Sequence, residues 1–530
     1  MFQGTLKPYQ VEAVDKMVTQ KRILVAYEMG LGKTPMTIAS IENLRASNEI
    51  KNTTLILCLS SLKYQWKTEI EKFSDSTALV IDGTPKRRLE QYATASDFDY
   101  IIMNYEQVVN DFDTIKHILL DAIVCDEATA IKGFRAQRAK KVKELSKTIT
   151  IRFALTGTPV ENGRPEEIFS IMQFIDKDIL GRFDLFDRTF IVRNQFGGVQ
   201  RYRNLPILHT TLMTHTVRKS QNDPDVKPYL PDAVYRQPLL IPLDKKSKNV
   251  YDIIAADLLA LLHEASESFG ANFNVAAHYG QSHDPGDPAN ALRGEVMSRI
   301  SAMRMLCSNP QLLVRSANNF SNHTGTGSAY INGLLDADNG LLMDVLKGLQ
   351  TSTKLDASIS YLVEHLDIDP SYKAVVFASY LGSVESLVNR LNARGFDAVG
   401  YTGEMNAKEK EAAKVKFQTE KHVRVLVSSD AGGYGVDLPQ ANLLINYDQP
   451  WSAGLAVQRN GRIIRASSQW TTITIQDILI KGSIEQRQYD TLKQKSNVAG
   501  AILDGSGIND KGGVDLTVGS LINFLTNASI

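Results

Sequence analysis

The stretch Arg22-Ile23-Leu24-Val25-Ala26-Tyr27-Glu28-Met29-Gly30-Leu31-Gly32-Lys33-Thr34-Pro35-Met36 decides the fold. The apolar run at 23–26 reads as a buried strand, the glycine-bearing stretch 27–32 as a tight turn, and Lys33 onward as the opening of a helix. In that order, the three make a loop whose backbone N–H groups close around phosphate. Gly30 and Gly32 permit the close approach, Lys33 is placed for the outer phosphates, and the Thr34 hydroxyl for magnesium. A plain glycine turn beside a solvated lysine is the competing reading, and it does not account for the strand before and the helix after. Tyr27 stands where the general G-x-x-x-x-G-K-T pattern has glycine.

Outward from this loop, short apolar runs alternate with amphipathic stretches: TLILCL at 54–59, ALVI at 78–81, YIIM at 100–103, AIVC at 122–125 and RFAL at 152–155. Alternation of this kind predicts a parallel sheet covered by helices, an α/β lobe. A second series follows, with KAVVFAS at 373–379, FDAVGY at 396–401, VRVLVSS at 423–429, NLLINYD at 442–448 and TTITIQDI at 471–478. Between the two, helical patterns such as 249–265 and 294–307 are interrupted by Gly/Asn/His/Ser-rich stretches at 270–294 and 316–340, which read as mobile loops. The predicted division is a first lobe at 1–160, its helical extension at 161–231, the start of a second lobe with a helical insertion and loops at 232–350, the second lobe proper at 351–500, and a tail at 501–530 ending in a short docking helix.

The strand Ala122 to Cys125 delivers Asp126-Glu127 at its carboxyl end. An acidic pair there is most often a helix N-terminal charge pair. Together with the upstream loop it reads as a magnesium-holding Asp126 and a water-orienting Glu127.

Further text resembles one superfamily. Leu6-Lys7-Pro8-Tyr9-Gln10 is similar to the glutamine motif that reads adenine, Asp126-Glu127-Ala128-Thr129 to the DEAx box, and Leu155-Thr156-Gly157-Thr158-Pro159 to motif III. In the second lobe the run 430–438, DAGGYGVDL, resembles motif V, and Gln458-Arg459-Asn460-Gly461-Arg462-Ile463-Ile464-Arg465 resembles motif VI. The set resembles a superfamily 2 helicase core. Within it the likeness is to Swi/Snf-type double-stranded DNA translocases, carried by the loop itself, Ser61-Leu62-Lys63-Tyr64-Gln65-Trp66, Ile131-Lys132, Gly157-Thr158-Pro159-Val160-Glu161-Asn162, the run 303–310 (MRMLCSNP) and Ala431-Gly432-Gly433. It covers nearly the whole chain, from about Leu6 to Gly500.

That resemblance implies two tandem RecA-like lobes, ATP with magnesium as the bound nucleotide, and Gln10 at the adenine. It also implies an arginine from the second lobe on the developing charge of the γ-phosphate. Arg462 and Arg465, three apart and so on one helical face, are the candidates, with a solvated basic pair as the alternative. Ser60, Ser61, Lys63, Lys132, the amides of Gly432 and Gly433, and Trp451 match family positions that approach the DNA backbone. Read as bare residues, Trp451 is equally a core side chain and Lys63 a solvated one. The basic run Arg135, Arg138, Lys140, Lys141 and Lys143 extends the track or is a solvated helix face.

Several positions depart from the family. Thr129 replaces the usual histidine, Leu59 a customary proline, and Gly133 an asparagine that approaches DNA. Motif VI leans toward the general helicase pattern QRxGRxxR, so strand separation or branch migration at forks and junctions stays open beside duplex translocation. A degenerate ATPase serving as a scaffold would be short of catalytic groups, whereas Lys33, Thr34, Asp126, Glu127 and Arg465 are all present.

Composition bounds the rest. Lysine plus arginine equals aspartate plus glutamate, 59 against 59, so nucleic acid would be held by local basic surfaces. Cys58, Cys125 and Cys307 are far apart and the nine histidines scattered, which points away from zinc and toward a reducing, intracellular compartment. The first residues have no signal-peptide pattern and no apolar run approaches the ~20 residues of a bilayer span. The expectation is a monomer acting on double-stranded or branched DNA, in the cytoplasm of a bacterium or virus host or in a nucleus.

Overall fold

The computed structural model describes residues 1–193, 199–275, 287–324, 327–349, 352–433, 436–505 and 517–528. Strands are numbered in chain order: β1 Arg22–Tyr27, β2 Thr53–Cys58, β3 Ala78–Val80, β4 Tyr100–Asn104, β5 Leu120–Asp126, β6 Ile151–Leu155, β7 Ile191–Arg193, β8 Val199–Tyr202 and β9 Thr216–Lys219. The second set is β10 Asp232–Tyr235, β11 Leu239–Ile241, β12 Ala374–Phe377, β13 Asp397–Tyr401, β14 Val423–Ser428, β15 Leu443–Asn446 and β16 Thr472–Ile480.

Two large sheets carry all of these strands but β7 and β8, in the orders β3-β4-β2-β5-β6-β1-β9 and β10-β16-β15-β12-β14-β13, the latter with β11 also on β16, while β7 and β8 form a small antiparallel pair of their own. All ladders of the two large sheets are parallel, which requires crossover helices and buries both faces. The two-residue side-chain period shows in β1, where Ile23, Val25 and Tyr27 enter the core on one face while Leu24 and Ala26 enter that on the other. In the second lobe Ala374 and Val376 oppose Val375 and Phe377 across β12 in the same way. The chain is thus α/β, with two parallel-sheet lobes and helical insertions.

Five strands fall outside the sequence expectation, β7 to β11; β7 and β8 pair with each other inside the segment read as a helical extension. β9 lies inside the segment read as a helical extension and completes the first sheet beside β1, pairing Leu24 to Thr216 and Tyr27 to Lys219. β10 and β11, only four and three residues long, seat the chain on the second sheet as it leaves the first. The loop readings are corrected in part: 288–294 opens the helix Pro288–Ser308, and the helices Gln311–Ser321 and Ala329–Lys347 occupy most of 316–340. Residues 276–286 and the GSGINDKGG tail beyond Gly505 lie outside the described residues.

The helix Ile484–Leu503 starts against the second lobe and ends in the core of the first, where Val498, Ala501, Ile502 and Leu503 are buried. The helix Val518–Ala528 docks on the insertion helix Lys245–Phe269, burying Val518, Leu521 and Leu525. Among the described residues no helix is long and apolar enough to cross a membrane.

Candidate functional site

The carboxyl edge of the first sheet collects the predicted catalytic groups, as parallel sheets place their ligand sites. After β1 the chain turns through Gly30 and Gly32 at φ of +80° and +82°, a region that L side chains rarely adopt. The helix Lys33–Ala46 begins directly behind, with Gly32 as its cap. Gly32 also lies against the Gln10 amide, which leaves no space for a β-carbon. Gln10 is buried, donates to the Leu31 carbonyl (3.0 Å) and accepts from the Lys7 amide (2.9 Å), so the predicted adenine reader is bonded into the loop.

The Lys33 ammonium donates to the carbonyls of Tyr27 (2.9 Å) and Glu28 (3.3 Å). Burial pushes its pKa below the usual lysine range, Glu127 and Asp126 pull it back up, and Arg465 and Arg462 push it down again. All five predicted charges therefore converge on one place. Two of them come from the other lobe.

Asp126 ends β5 and is buried. Its Oδ2 accepts from the Trp66 indole at 2.8 Å and its Oδ1 from the Glu127 amide at 3.0 Å, while the Tyr105 hydroxyl donates to its carbonyl at 2.6 Å. Burial, and then the neighbouring Glu127 charge, hold its carboxyl above the ordinary range. Glu127 sits at φ 48° and ψ 58°, left-handed backbone for a non-glycine residue, and its Oε2 is buried with no hydrogen-bond partner. Strain plus an orphaned carboxylate oxygen marks a group held for something other than stability. A buried acidic pair of this kind fits a divalent cation and a water.

On the second lobe Arg459, which the sequence reading left without a role, is the clamp. Its Nε and Nη2 reach Asp430 at 2.6 and 2.8 Å and its Nη1 the Asp448 carbonyl at 2.5 Å, tying together the loops after β14 and β15. Arg462 is buried, and Arg465 pairs with Asp437 at 2.5 Å.

The lobes meet along a seam of glycines. A β-carbon on Gly30 would stand 2.7 Å from the Ile464 carbonyl and 3.1 Å from Cδ of Arg465; one on Gly461 would strike Met29, and one on Gly454 would strike Glu161. Ser452 Oγ donates to Glu161 at 2.9 Å, and Gly454 N donates to the Glu161 carbonyl at 3.2 Å. Only glycine lets the backbones come this close.

The predicted nucleic-acid residues separate. Ser60 and Ser61 are exposed, and Trp451 is 47% exposed. Lys63 is 2% exposed, with its ammonium bonded to the Ile81 carbonyl (3.0 Å) and Asp82 (2.9 Å). Gly432 and Gly433 are buried, and their N–H groups donate to Ser429, at Oγ (3.1 Å) and at the carbonyl (2.9 Å). Tyr434 and Gly435 of the same motif lie outside the described residues. Lys132 pairs with Glu161 and, at 3.6 Å, with Glu167. Burial alone would lower its pKa, but the two carboxylates outweigh it, and Lys132 serves the seam through the same Glu161 that holds Ser452. In the basic run, Arg138 pairs with Glu106 and Lys143 bonds Ser170 and Gln173, leaving Arg135 and Lys140 exposed.

Two parallel-sheet lobes, a phosphate loop and acidic pair on one, and arginines approaching from the other define a superfamily 2 motor core. The model of the SNF2-related domain matches residues 9–282, half of the chain, and that of the helicase conserved C-terminal domain matches residues 357–467. The chain belongs to the SNF2-related family. It is 22% identical over 510 residues to the putative ATP-dependent helicase/translocase YwqA of Bacillus subtilis (strain 168), covering 95% of this chain and 49% of that protein. To the DNA repair and recombination protein RAD54B of Homo sapiens it is 24% identical over 507 residues, 91% of this chain and 52% of that one. The chain spans about half the length of the curated relatives it matches. Among solved structures, the helicase domain of Pyrococcus furiosus Hef shares the fold, with a TM-score of 0.52 at 18% identity over 92% of this chain and 98% of that one.

Proposed function

We propose that the chain hydrolyses ATP in the cleft between its lobes and uses the opening and closing of that cleft to translocate on double-stranded DNA. The observation that carries this reading is the glycine seam, which seats Arg465 of one lobe against Gly30 of the other. Phosphoryl transfer is catalysed mainly by positioning and charge, and an arginine brought in only on closure ties hydrolysis to motion. The duplex substrate rests on family membership and on the Swi/Snf-like motifs.

Gly30, Gly32 and Lys33 hold the phosphates, and Gln10, already fixed to the loop, reads the base. Thr34 and Asp126 are the residues that would hold magnesium, which when bound neutralises charge on the phosphates. Glu127 orients a water and takes its proton through the carboxylate that has a free oxygen. Arg462 and Arg465 stabilise charge on the transferred group. On the surface, Ser60, Ser61 and Trp451 are exposed for DNA contact.

The test is the ATPase rate with duplex DNA, single strands, a four-way junction and RNA. Stimulation far stronger by duplex than by single strands or RNA supports duplex translocation, and equal stimulation by RNA rejects it. Resolution of a junction into its arms would move the reading to branch migration, which the QRxGRxxR pattern of motif VI leaves open. Lys33→Ala should abolish turnover. Glu127→Gln should bind ATP and hydrolyse it ~10²-fold or more slowly.

A further inference from the structure

We propose that Arg304 is the positioning residue of Trp451, fixing its indole as an apolar platform for a sugar of the DNA backbone; the platform rests on the DNA reading above. Arg304 lies in the helix Pro288–Ser308 and is 2% exposed. Its guanidinium carbon stands 3.9 Å from the Trp451 ring centroid, and its Nη2 donates to the Gln449 carbonyl at 2.7 Å. Its Nη1 is buried without a hydrogen-bond partner, and no carboxylate of the described residues lies within ion-pair reach.

A buried cation without a counter-ion is a poor device for stability, since an apolar side chain of similar length would fill the space without desolvating a charge. What it supplies is directed at the ring. The residues on either side of Trp451 are already held by other groups. Asp448 accepts from Ser308 (3.0 Å) and the Ser379 amide (2.8 Å), the Pro450 carbonyl accepts from Gln488 (2.6 Å), and Ser452 is bonded to Glu161 across the seam. The Gln449 bond adds one more tether to that backbone. The cation–π contact acts on the side chain itself.

The consequence is a large aromatic surface, 47% exposed, whose orientation is set before any ligand arrives. Packing of a backbone sugar on such a ring tolerates any base sequence, because sugar and phosphate contacts carry no sequence information. Fixing the ring in advance removes the ordering cost from the binding step. Because Ser452 adjoins it and bonds to the first lobe, the platform sits where lobe closure is felt.

The test sets Arg304→Met and Arg304→Lys in the parent and in Trp451→Ala. Arg304→Met should raise the half-saturating duplex concentration about tenfold, equivalent to ~1.4 kcal/mol of binding. The rate at saturating duplex should hold within about twofold, a KM effect without a kcat effect. Arg304→Lys keeps the cation and should recover part of the loss. In Trp451→Ala, Arg304→Met should cost nothing more; an equal further loss, or a fall in the saturated rate, overturns the proposal. Time-resolved fluorescence anisotropy, as the difference between each protein and its Trp451→Phe counterpart, reads the ring itself. Arg304→Met should loosen it, and unchanged anisotropy rejects the positioning. If Trp451→Ala leaves duplex half-saturation unchanged, the DNA reading of Trp451 falls and the platform with it, even where the anisotropy shows that Arg304 holds the ring.

Discussion

Trp66 shows what a single residue can do from outside the obvious motifs. Its indole is the hydrogen-bond donor on Asp126 Oδ2, at 2.8 Å in a buried setting. Trp66→Phe would keep the ring and leave that oxygen unpartnered, a loss of ~1–3 kcal/mol. The expected result is a lower melting temperature together with a higher magnesium requirement for ATP hydrolysis, read from a metal titration of the rate. An unchanged magnesium titration would make Trp66 structural only. Lys143 makes a prediction of opposite sign. Burial, and then Lys140, lower its pKa from 10.5 to about 8. The unfolded chain therefore binds more protons between those values, and stability rises with pH across that window. Lys143→Met should melt higher than the parent at pH 7, with the difference shrinking as the pH climbs past 8. Equal margins at pH 7 and pH 10 would refute it. The chemistry of Lys33, Asp126 and Glu127 was legible because each sits at a fixed offset from a strand end. The Trp66 bond and the strain at Glu127 were not, because they depend on which side chain meets which across the sheet edge.

At the scale of elements, the helix Ala453–Asn460 sets two preferences against each other. A glycine at its second position costs helix stability, about 1 kcal/mol relative to alanine. Yet a β-carbon on Gly454 would strike Glu161 of the other lobe. Gly454→Ala should thus stabilise the second lobe and obstruct closure. The expected pair of readings is an equal or higher melting temperature with a kcat reduced about tenfold, the equivalent of ~1.4 kcal/mol on the barrier. A faster enzyme would show that closure at this point does not limit turnover. Nothing in the sequence around Gly454 announces this, since the constraint comes from a residue 293 positions away by the numbering of Glu161 and Gly454 in space rather than in helix pattern. The missed strands have a local reason instead. β9, β10 and β11 are three or four residues long, and the exposed Val234, Tyr235 and Leu240 blur the apolar run that made β1 and β5 readable.

At the scale of the whole molecule, the helix Ile484–Leu503 is the second tie between the lobes, opposite in kind to the glycine seam. Its start is anchored in the second lobe by the buried pair Glu485 and Lys354 at 2.6 Å. Its end enters the first-lobe core, where Ile502 is fully buried and its carbonyl lies 3.0 Å from the His209 ring nitrogen. Just past it, Asp504 meets Arg218 of β9 at 2.9 Å, and the same guanidinium reaches Glu28 of the phosphate loop at 2.8 Å. Burial would lower the Arg218 pKa, but Glu28 and Asp504 outweigh it, so one cation serves the strap and the nucleotide loop together. Two substitutions separate packing from charge. Ile502→Ala removes core contacts worth ~2–5 kcal/mol and should release the strap, seen as a larger radius of gyration in small-angle scattering. Asp504→Asn removes only a part-exposed ion pair, worth ~0.2–1 kcal/mol, and should leave the dimensions unchanged. If Arg218 carries strap docking to the loop, both variants raise the KM for ATP, Ile502→Ala by far the more. If the strap merely packs, Asp504→Asn keeps the parent KM and the link through Arg218 is refuted.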